Sequence, residues 1–333
     1  MIERARSQTA PTVGNCYNSA MFIKTISWVL IVAIFSFTAF GAAAAAPCDR
    51  ACLKTTLNQY LTAMLAHKPS AAPLSTGFRQ TENAVVRRIG TGLWETALGM
   101  GEVQRRYYDP ETEQSGFFGL LEEPGGLTIA TLRLRVEDRK ITEAEWVLSR
   151  KGDPGLGPNG GQQADAAYHD PAYLVAHPPP MERIVPKAER LSRTDLIAVT
   201  NTYFDGLSAH DGKQILAHPG CVREENGMLT TQRALQGGGL SDCTSEGAMV
   251  NIFAVTARRY PIVDEEAQAV LGIVLFQRKP GVAIRRNLLS EWFFIEQGKI
   301  RTIFASMYYP DPEAMIPNWP PFDGNWPIQP PAK

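Results

Sequence analysis

The sequence is poor in the residues from which catalytic machinery is usually recognised. It holds five histidines in 333 residues, and no two stand at the helical spacing that builds a zinc site. No serine sits in a nucleophile-elbow pattern. Neither a phosphate-binding loop nor a dinucleotide fingerprint occurs. The formal net charge is −1 and there is no basic block, so long-range attraction to nucleic acid or anionic lipid is not expected. The expectation is therefore no metal, no cofactor and no nucleic-acid partner. Hydrophobic residues make up 44% and charged residues 20%, the range of an ordinary globular protein, and the length suits about two domains.

What is present begins with a leader. Met21 to Lys24 is a short positive start, residues 26–40 are an apolar run, and residues 41–46 are small residues before Pro47. This is the layout of a secretory signal with cleavage near Ala46, and Met21 is an alternative start. An uncleaved anchor is the rival, since residues 26–46 are just long enough to span a bilayer. The cleaved reading places the mature protein outside the cell or in the periplasm, with no membrane association after cleavage. Export makes cysteines disulfide candidates. Cys16 precedes the signal, which leaves Cys48, Cys52, Cys221 and Cys243 and three pairings. Cys48–Cys52 and Cys221–Cys243 are favoured because each lies within one domain. A zinc site is the alternative, on a spacing that fits no familiar zinc pattern.

The chain repeats itself. Tyr60, His67 and Glu82-Asn83 recur as Tyr203, His210 and Glu225-Asn226, and 203−60, 210−67 and 225−82 all give 143. A period this long means duplicated domains rather than a solenoid. In the first copy Asp49 can cap a helix whose apolar stripe is Leu53, Leu57, Tyr60, Leu61, Met64 and Leu65, ended by Lys68-Pro69. Strands are expected at 78–89, 103–108, 117–122, 127–136 and 141–148, with a short helix at 93–100. In the second copy Ser192 caps a helix carrying Leu196, Val199, Tyr203 and Leu207. Strands are expected near 251–260, 267–277, 287–296 and 300–308. A helix followed by hairpin-linked strands is an α+β pattern. Later landmarks pair Arg105-Arg106-Tyr107 with Arg258-Arg259-Tyr260 and Gly119 with Gly272, offset 153, then Val136-Glu137 with Ile295-Glu296, offset 159. On that register Glu145-Trp146 and Glu291-Trp292 are not equivalent, despite their likeness.

The expected organisation is a signal and upstream extension at 1–46, a first domain at 47–150, a Gly/Pro-rich linker at 151–189, a second domain at 190–310 and a Pro-rich tail at 311–333. The tail carries Trp319, Phe322 and Trp326. The two domains are expected to pack as an internal pseudo-dimer within one chain.

This plan resembles the SnoaL-like, nuclear-transport-factor-2-like superfamily, twice over. The first copy is also similar to a secreted group within it through Cys48-Asp49-Arg50-Ala51-Cys52-Leu53, Tyr60, Ala66-His67-Lys68-Pro69-Ser70, Pro73-Leu74, Thr81-Glu82-Asn83, Gly90-Thr91-Gly92-Leu93-Trp94, Asp109-Pro110-Glu111-Thr112 and Arg133-Leu134-Arg135-Val136. The resemblance implies cone-shaped domains, each with a helix on a strongly curved antiparallel sheet around an apolar pocket. Members of the superfamily include cofactor-independent isomerases, cyclases, dehydratases and lyases as well as binding modules, and fold alone does not choose between them.

A pocket is then expected between helix stripe and sheet. His67 is the candidate acid or base, with Glu82 and Asn83 orienting it or the substrate. The competing readings are a histidine that closes the helix end and a Glu-Asn strand-end turn. Tyr60, Trp94, Tyr107 and Tyr108 are candidates to line the first pocket, and Arg133, with Arg135, to bind an anionic substrate. Tyr203, His210, Glu225 and Asn226 are the second-copy counterparts, with Tyr260, Trp292 and Phe294 beside them. The competing readings, which carry more weight, are core for aromatics on a helix stripe and an outward solvated row for the alternating arginines. The first domain is the expected active copy. The functional expectation is an exported protein with a small-molecule pocket, acting as a cofactor-independent lyase, dehydratase or isomerase. The alternative is a non-catalytic ligand-binding or interaction protein of the cell envelope.

Overall fold

A computed structural model describes residues 46–159, 161–245, 251–314 and 316. The expected signal and the tail aromatics Trp319, Phe322 and Trp326 lie outside the described residues.

Helix α1 spans Arg50–Leu65, and the Asp49 side chain caps it by accepting the Cys52 N–H at 2.9 Å. Its buried stripe holds Leu53, Leu57, Tyr60, Leu61 and Met64. Six strands follow: β1 (Leu74–Glu82), β2 (Val85–Arg87), β3 (Gly99–Asp109), β4 (Gln114–Glu123), β5 (Gly126–Glu137) and β6 (Lys140–Ser149). A one-turn helix α2 (Leu93–Thr96) lies between β2 and β3. The expected strand 78–89 is broken into β1 and β2, because Asn83 and Ala84 take φ of 51° and 63° and turn the chain back on itself.

After the connector helix α3 (Pro171–Ala176), the second domain repeats the order. Helix α4 (Arg193–Ala209) is capped by Ser192 and followed by β7 (Ala217–Glu225), β8 (Met228–Leu229), β9 (Ile252–Asp264), β10 (Ala269–Arg278), β11 (Asn287–Glu296) and β12 (Lys299–Tyr308). The sheets have matching orders, β2-β1-β6-β5-β4-β3 and β8-β7-β12-β11-β10-β9. The architecture is α+β with two similar domains. All pairings are antiparallel except β1 with β6 and β7 with β12. Those parallel pairs arise because each meander returns its last strand beside its first, which only a long connection permits.

The sheets also fix the repeat register. Asn83 N–H bonds the Trp146 carbonyl and Asn226 N–H the Ala305 carbonyl, both at 2.9 Å. Trp146 therefore matches Ala305 and not Trp292, as the hairpin register implied. The offset of 153 is corrected: the β3–β4 hairpin closes at Asp109–Gln114 and the β9–β10 hairpin at Asp264–Ala269, an offset of 155. Phe117, not Gly119, is the counterpart of Gly272.

Three apolar clusters hold the described residues together. One lies under α1 and includes Leu57, Phe117, Leu132 and Trp146. One lies under α4 and includes Phe204, Val274, Leu289 and Phe293. The third joins the outer faces of the two sheets through Tyr107, Phe118, Leu271, Trp292 and Phe304. Polar contacts cross this junction in a reciprocal pattern. Asp264 accepts Tyr108 N–H at 2.9 Å and pairs with Arg50 at 2.8 Å. Asp109 accepts Val263 N–H at 2.9 Å and pairs with Arg193 at 2.7 Å. Arg50 and Arg193 each open their domain's helix.

Both favoured disulfides are formed, Cys48–Cys52 and Cys221–Cys243. Cys48 precedes the cap of α1, so the i, i+4 bridge spans the helix start rather than helical turns. Residues 151–189 are not a free spacer: Leu156 and Leu174 are buried, and Arg105 donates to the Pro179 and Pro180 carbonyls. Among the described residues, no helix is long and apolar enough to cross a membrane.

Candidate functional site

The interior under α1 is packed with aromatic side chains. Trp94 of α2 stands edge-on to Tyr60, ring centroids 5.2 Å apart, and its indole N–H donates to Gln80 Oε1 at 2.8 Å. The Trp146 indole N–H donates to the Tyr60 hydroxyl at 3.3 Å. Glu82 Oε1 accepts the Leu93 N–H at 2.7 Å, and burial holds the Glu82 pKa up against that bond. A Cβ at Gly92 would lie 2.2 Å from the Glu82 carboxylate, and its φ is +67°; only glycine lets α2 start against this carboxylate. Glu123 accepts from Arg150 at 2.7 Å and from Thr96 at 2.6 Å.

The expected catalytic group of this domain is not assembled. His67 is solvent-exposed, has φ 53° and shares a hydrogen bond of 2.7 Å with the Trp94 carbonyl. It closes the helix end. Asn83 is buried and spends its amide on both backbone atoms of Leu148, donating at 3.1 Å and accepting at 2.7 Å. Asn226 does the same with Met307, at 3.0 and 2.8 Å. These asparagines extend the strand ladder past the turn, and that pairing holds their amides against the backbone. His210, also left-handed at φ 57°, bonds the Ile252 carbonyl.

Two further candidates lie outside the helix-covered interiors. Tyr107 sits between the sheets, its ring 4.5 Å from Trp292 and 5.8 Å from Phe294. This places Trp292 and Phe294 outside the second interior as well. Arg133 is on the outer face of β5, where it donates to Glu145, Gln114 and Glu143 at 3.1, 2.7 and 2.7 Å. Arg259 of the second domain binds the same Glu145. Strand parity explains both corrections: Leu132 and Leu134 face α1, so Arg133 and Arg135 cannot.

The interior under α4 is differently furnished. Arg223, buried on β7, donates to the Tyr203 hydroxyl at 2.8 Å and to Thr230 Oγ1 at 2.8 Å, with Glu225 at 3.4 Å. Burial works against the Arg223 charge, but Tyr203 and Glu225 outweigh it and raise its pKa. Burial pushes the Tyr203 phenol up. On β11, Glu291 is fully buried, and neither carboxylate oxygen has a hydrogen-bond partner among the described residues. Burial, then the charge of Glu225, pushes its pKa up to about 8, opposed by Arg223. Glu291 therefore holds its proton at neutral pH and has a donor to give. It pairs across the ladder with Gly272, and a Cβ there would meet the Phe204 ring at 3.2 Å. Among the described residues, no group of three or more His, Cys, Asp or Glu that could hold a metal ion occurs.

Of the sequence candidates, Tyr203 and Glu225 belong to this constellation. Arg223 and Glu291 were absent from them. Glu291 carried a readable signal: Leu289, Phe293 and Ile295 are the buried parity of a strand, and Glu291 shares it.

A family described only as a domain of unknown function, DUF8021, matches residues 189–307, the second domain. No curated protein matches the chain. Among solved structures, a Methylobium petroleophilum protein of unknown function with a cystatin-like fold is 9% identical, covering 37% of this chain and 97% of its own, with TM-score 0.29. AusH from Aspergillus nidulans is 13% identical over 35% of this chain and 85% of its own, TM-score 0.26. A Bacillus subtilis protein described as a suspected isomerase is 12% identical over 34% and 86%, TM-score 0.26. Likenesses at this level carry no functional argument.

Proposed function

We propose that this is an exported small-molecule-binding protein whose site lies in the second domain, and that Glu291 moves a proton there in a cofactor-independent isomerisation, dehydration or elimination. One observation carries the reading: a fully buried carboxyl group with both oxygens unpartnered among the described residues. Such a group costs stability and is worth keeping where it does chemistry. Neutral Glu291 can protonate a carbonyl or a leaving hydroxyl. The carboxylate left behind is stabilised by Arg223, whose charge already acts on it. Arg223 also orients the Tyr203 hydroxyl. The carboxylate then takes a proton from the substrate carbon beside the carbonyl or the departing group, whose C–H electrons form the new double bond; the acid is regenerated and no external reductant or oxidant is needed.

The first domain then serves as the structural partner in an internal pseudo-dimer. The exchanged Arg50–Asp264 and Arg193–Asp109 pairs support this reading. Export is supported by the leader and by the two disulfides.

The test is a turnover screen of the mature chain against a metabolite mixture, repeated with Glu291→Gln and His67→Ala. Loss of a turnover by about a hundredfold or more in Glu291→Gln, with unchanged rate in His67→Ala, is the expected result. Turnover that survives Glu291→Gln but fails in His67→Ala would return the chemistry to the first domain.

A further inference from the structure

The two domains treat one pair of strand positions differently. By ladder register, Glu123 at the end of β4 corresponds to Arg278 at the end of β10: Gln114 and Ala269 open the two strands and pair with Arg135 and Phe294. Arg150, just past β6, corresponds to Tyr309, just past β12, because Leu148 and Met307 hold the same asparagine contacts. In the first domain these positions form a closed ion pair, Arg150 to Glu123, at 2.7 and 3.1 Å. In the second the acid has become an arginine and the arginine a tyrosine. Arg278 donates to Asn287 Oδ1 at 3.2 Å, and among the described residues its guanidinium has no ion pair. Tyr309 turns its hydroxyl to Gln163.

The surroundings leave this cation uncompensated. Burial pulls the Arg278 pKa down, and the nearby Tyr309 and Glu225 only partly restore it. With Glu291 protonated, two guanidiniums, Arg223 and Arg278, face one carboxylate, Glu225, which already lies 3.4 Å from Arg223. The formal surplus is one positive charge, and it resides on Arg278. Arg278 is half-buried, so it is reachable from solvent. Tyr203, Phe204 and Phe293 pack edge-on to one another in the same interior, with centroids 5.4 Å apart.

We propose that Arg278 anchors the carboxylate of a small monocarboxylic acid with an apolar body, the ligand supplying the opposite charge that the first domain's ion pair has and this pair of positions lacks. Guanidinium and carboxylate match as a two-bond fork. A single negative charge cancels the surplus, and the apolar body suits the aromatic interior. This rests on the second domain being the ligand site and names the class of molecule that it takes.

The test uses the full mature chain and titration calorimetry with octanoate, phenylpyruvate and crotonate, each against its uncharged amide. At least one acid should bind about tenfold or more tightly than its amide. Arg278→Gln should abolish that preference and Arg278→Lys should retain part of it. The double variant Arg278→Glu with Tyr309→Arg rebuilds the first domain's ion pair; it should fold, by circular dichroism, and lose acid binding. Amides binding as well as acids, with Arg278→Gln indifferent and Glu291→Gln still altering affinity, would overturn the carboxylate anchor and leave the second-domain site standing. No binding of any acid or amide would overturn both. Should Arg278→Gln fail to fold, the acid-to-amide ratio of the wild-type protein decides.

Discussion

Leu132 and Glu291 occupy the same place in the two domains: the fifth strand of the sheet, on the face that packs against the helix. Around Leu132 the interior is aromatic, with Trp94 and Trp146 each against Tyr60 and Gln80 tying the indole of α2. Around Glu291 stand Arg223, Glu225 and Tyr203, in charged and hydrogen-bonded contact, and the acid itself has no hydrogen-bond partner among the described residues. Turns, caps and asparagine clasps are shared, so they belong to the fold. The difference between interiors is where function separates from architecture. A repeated residue is evidence for a repeated structural need, and here the non-repeated positions point to the site.

The comparison can be broken most severely by giving the first interior what the second has. Leu132→Glu buries an acid in an apolar cluster, and is expected to cost about 4 kcal/mol or more, measured by urea unfolding. A small cost would mean that the first interior accommodates charge as readily as the second.

The next effect runs the other way. Folded Glu291 keeps its proton to about pH 8, against a reference value of 4.5. As pH rises, the unfolded chain loses this proton first, so the native state binds more protons and stability falls. The loss begins near the unfolded value and is complete above the folded one. Glu291→Gln should remove that decline and, at pH 8, stabilise the protein by on the order of 3 kcal/mol. Unfolding series at pH 5 and pH 8 for both proteins read it directly. Glu224, whose pKa burial also raises to about 8, contributes a similar decline in both and cancels in the comparison.

Where the domains are alike, their variants should behave alike. Asn83→Ala and Asn226→Ala each lose two buried backbone hydrogen bonds, so each should destabilise by about 2 kcal/mol. A large inequality, or loss of ligand binding in Asn226→Ala at unchanged stability, would restore a functional role to the Glu-Asn motif.

These cases also show how far the sequence could be read. Helices α1 and α4, their caps, the disulfides and the α+β order followed from apolar periodicity, capping residues and cysteine position, all of which are local; α3 fell in the stretch read as linker. The return of β6 beside β1 could not, since parallel pairing of distant segments leaves no local mark. His67 and the Glu-Asn pair were conspicuous because they repeat, and they repeat because a left-handed helix end and a tight strand turn each need such residues. Glu291 was legible by strand parity but stood in an apparent Glu-Trp match that drew attention to its neighbour.

The smallest expected effect refines the shared turn. Ala84 holds φ 63° where the second copy has Gly227 at 77°. Ala84→Gly should stabilise by about 0.5–1 kcal/mol through relief of that backbone strain, read as a small rise in Tm.

The most direct measurement concerns the protonation of Glu291 itself. An infrared difference spectrum of the full chain, wild type minus Glu291→Gln, isolates this carboxyl group. At pH 7 it should show the carbonyl band of a protonated acid, disappearing with a midpoint near pH 8. A carboxylate signal already complete at pH 7, titrating near 4.5, would contradict the claim that the second interior holds a proton ready for transfer.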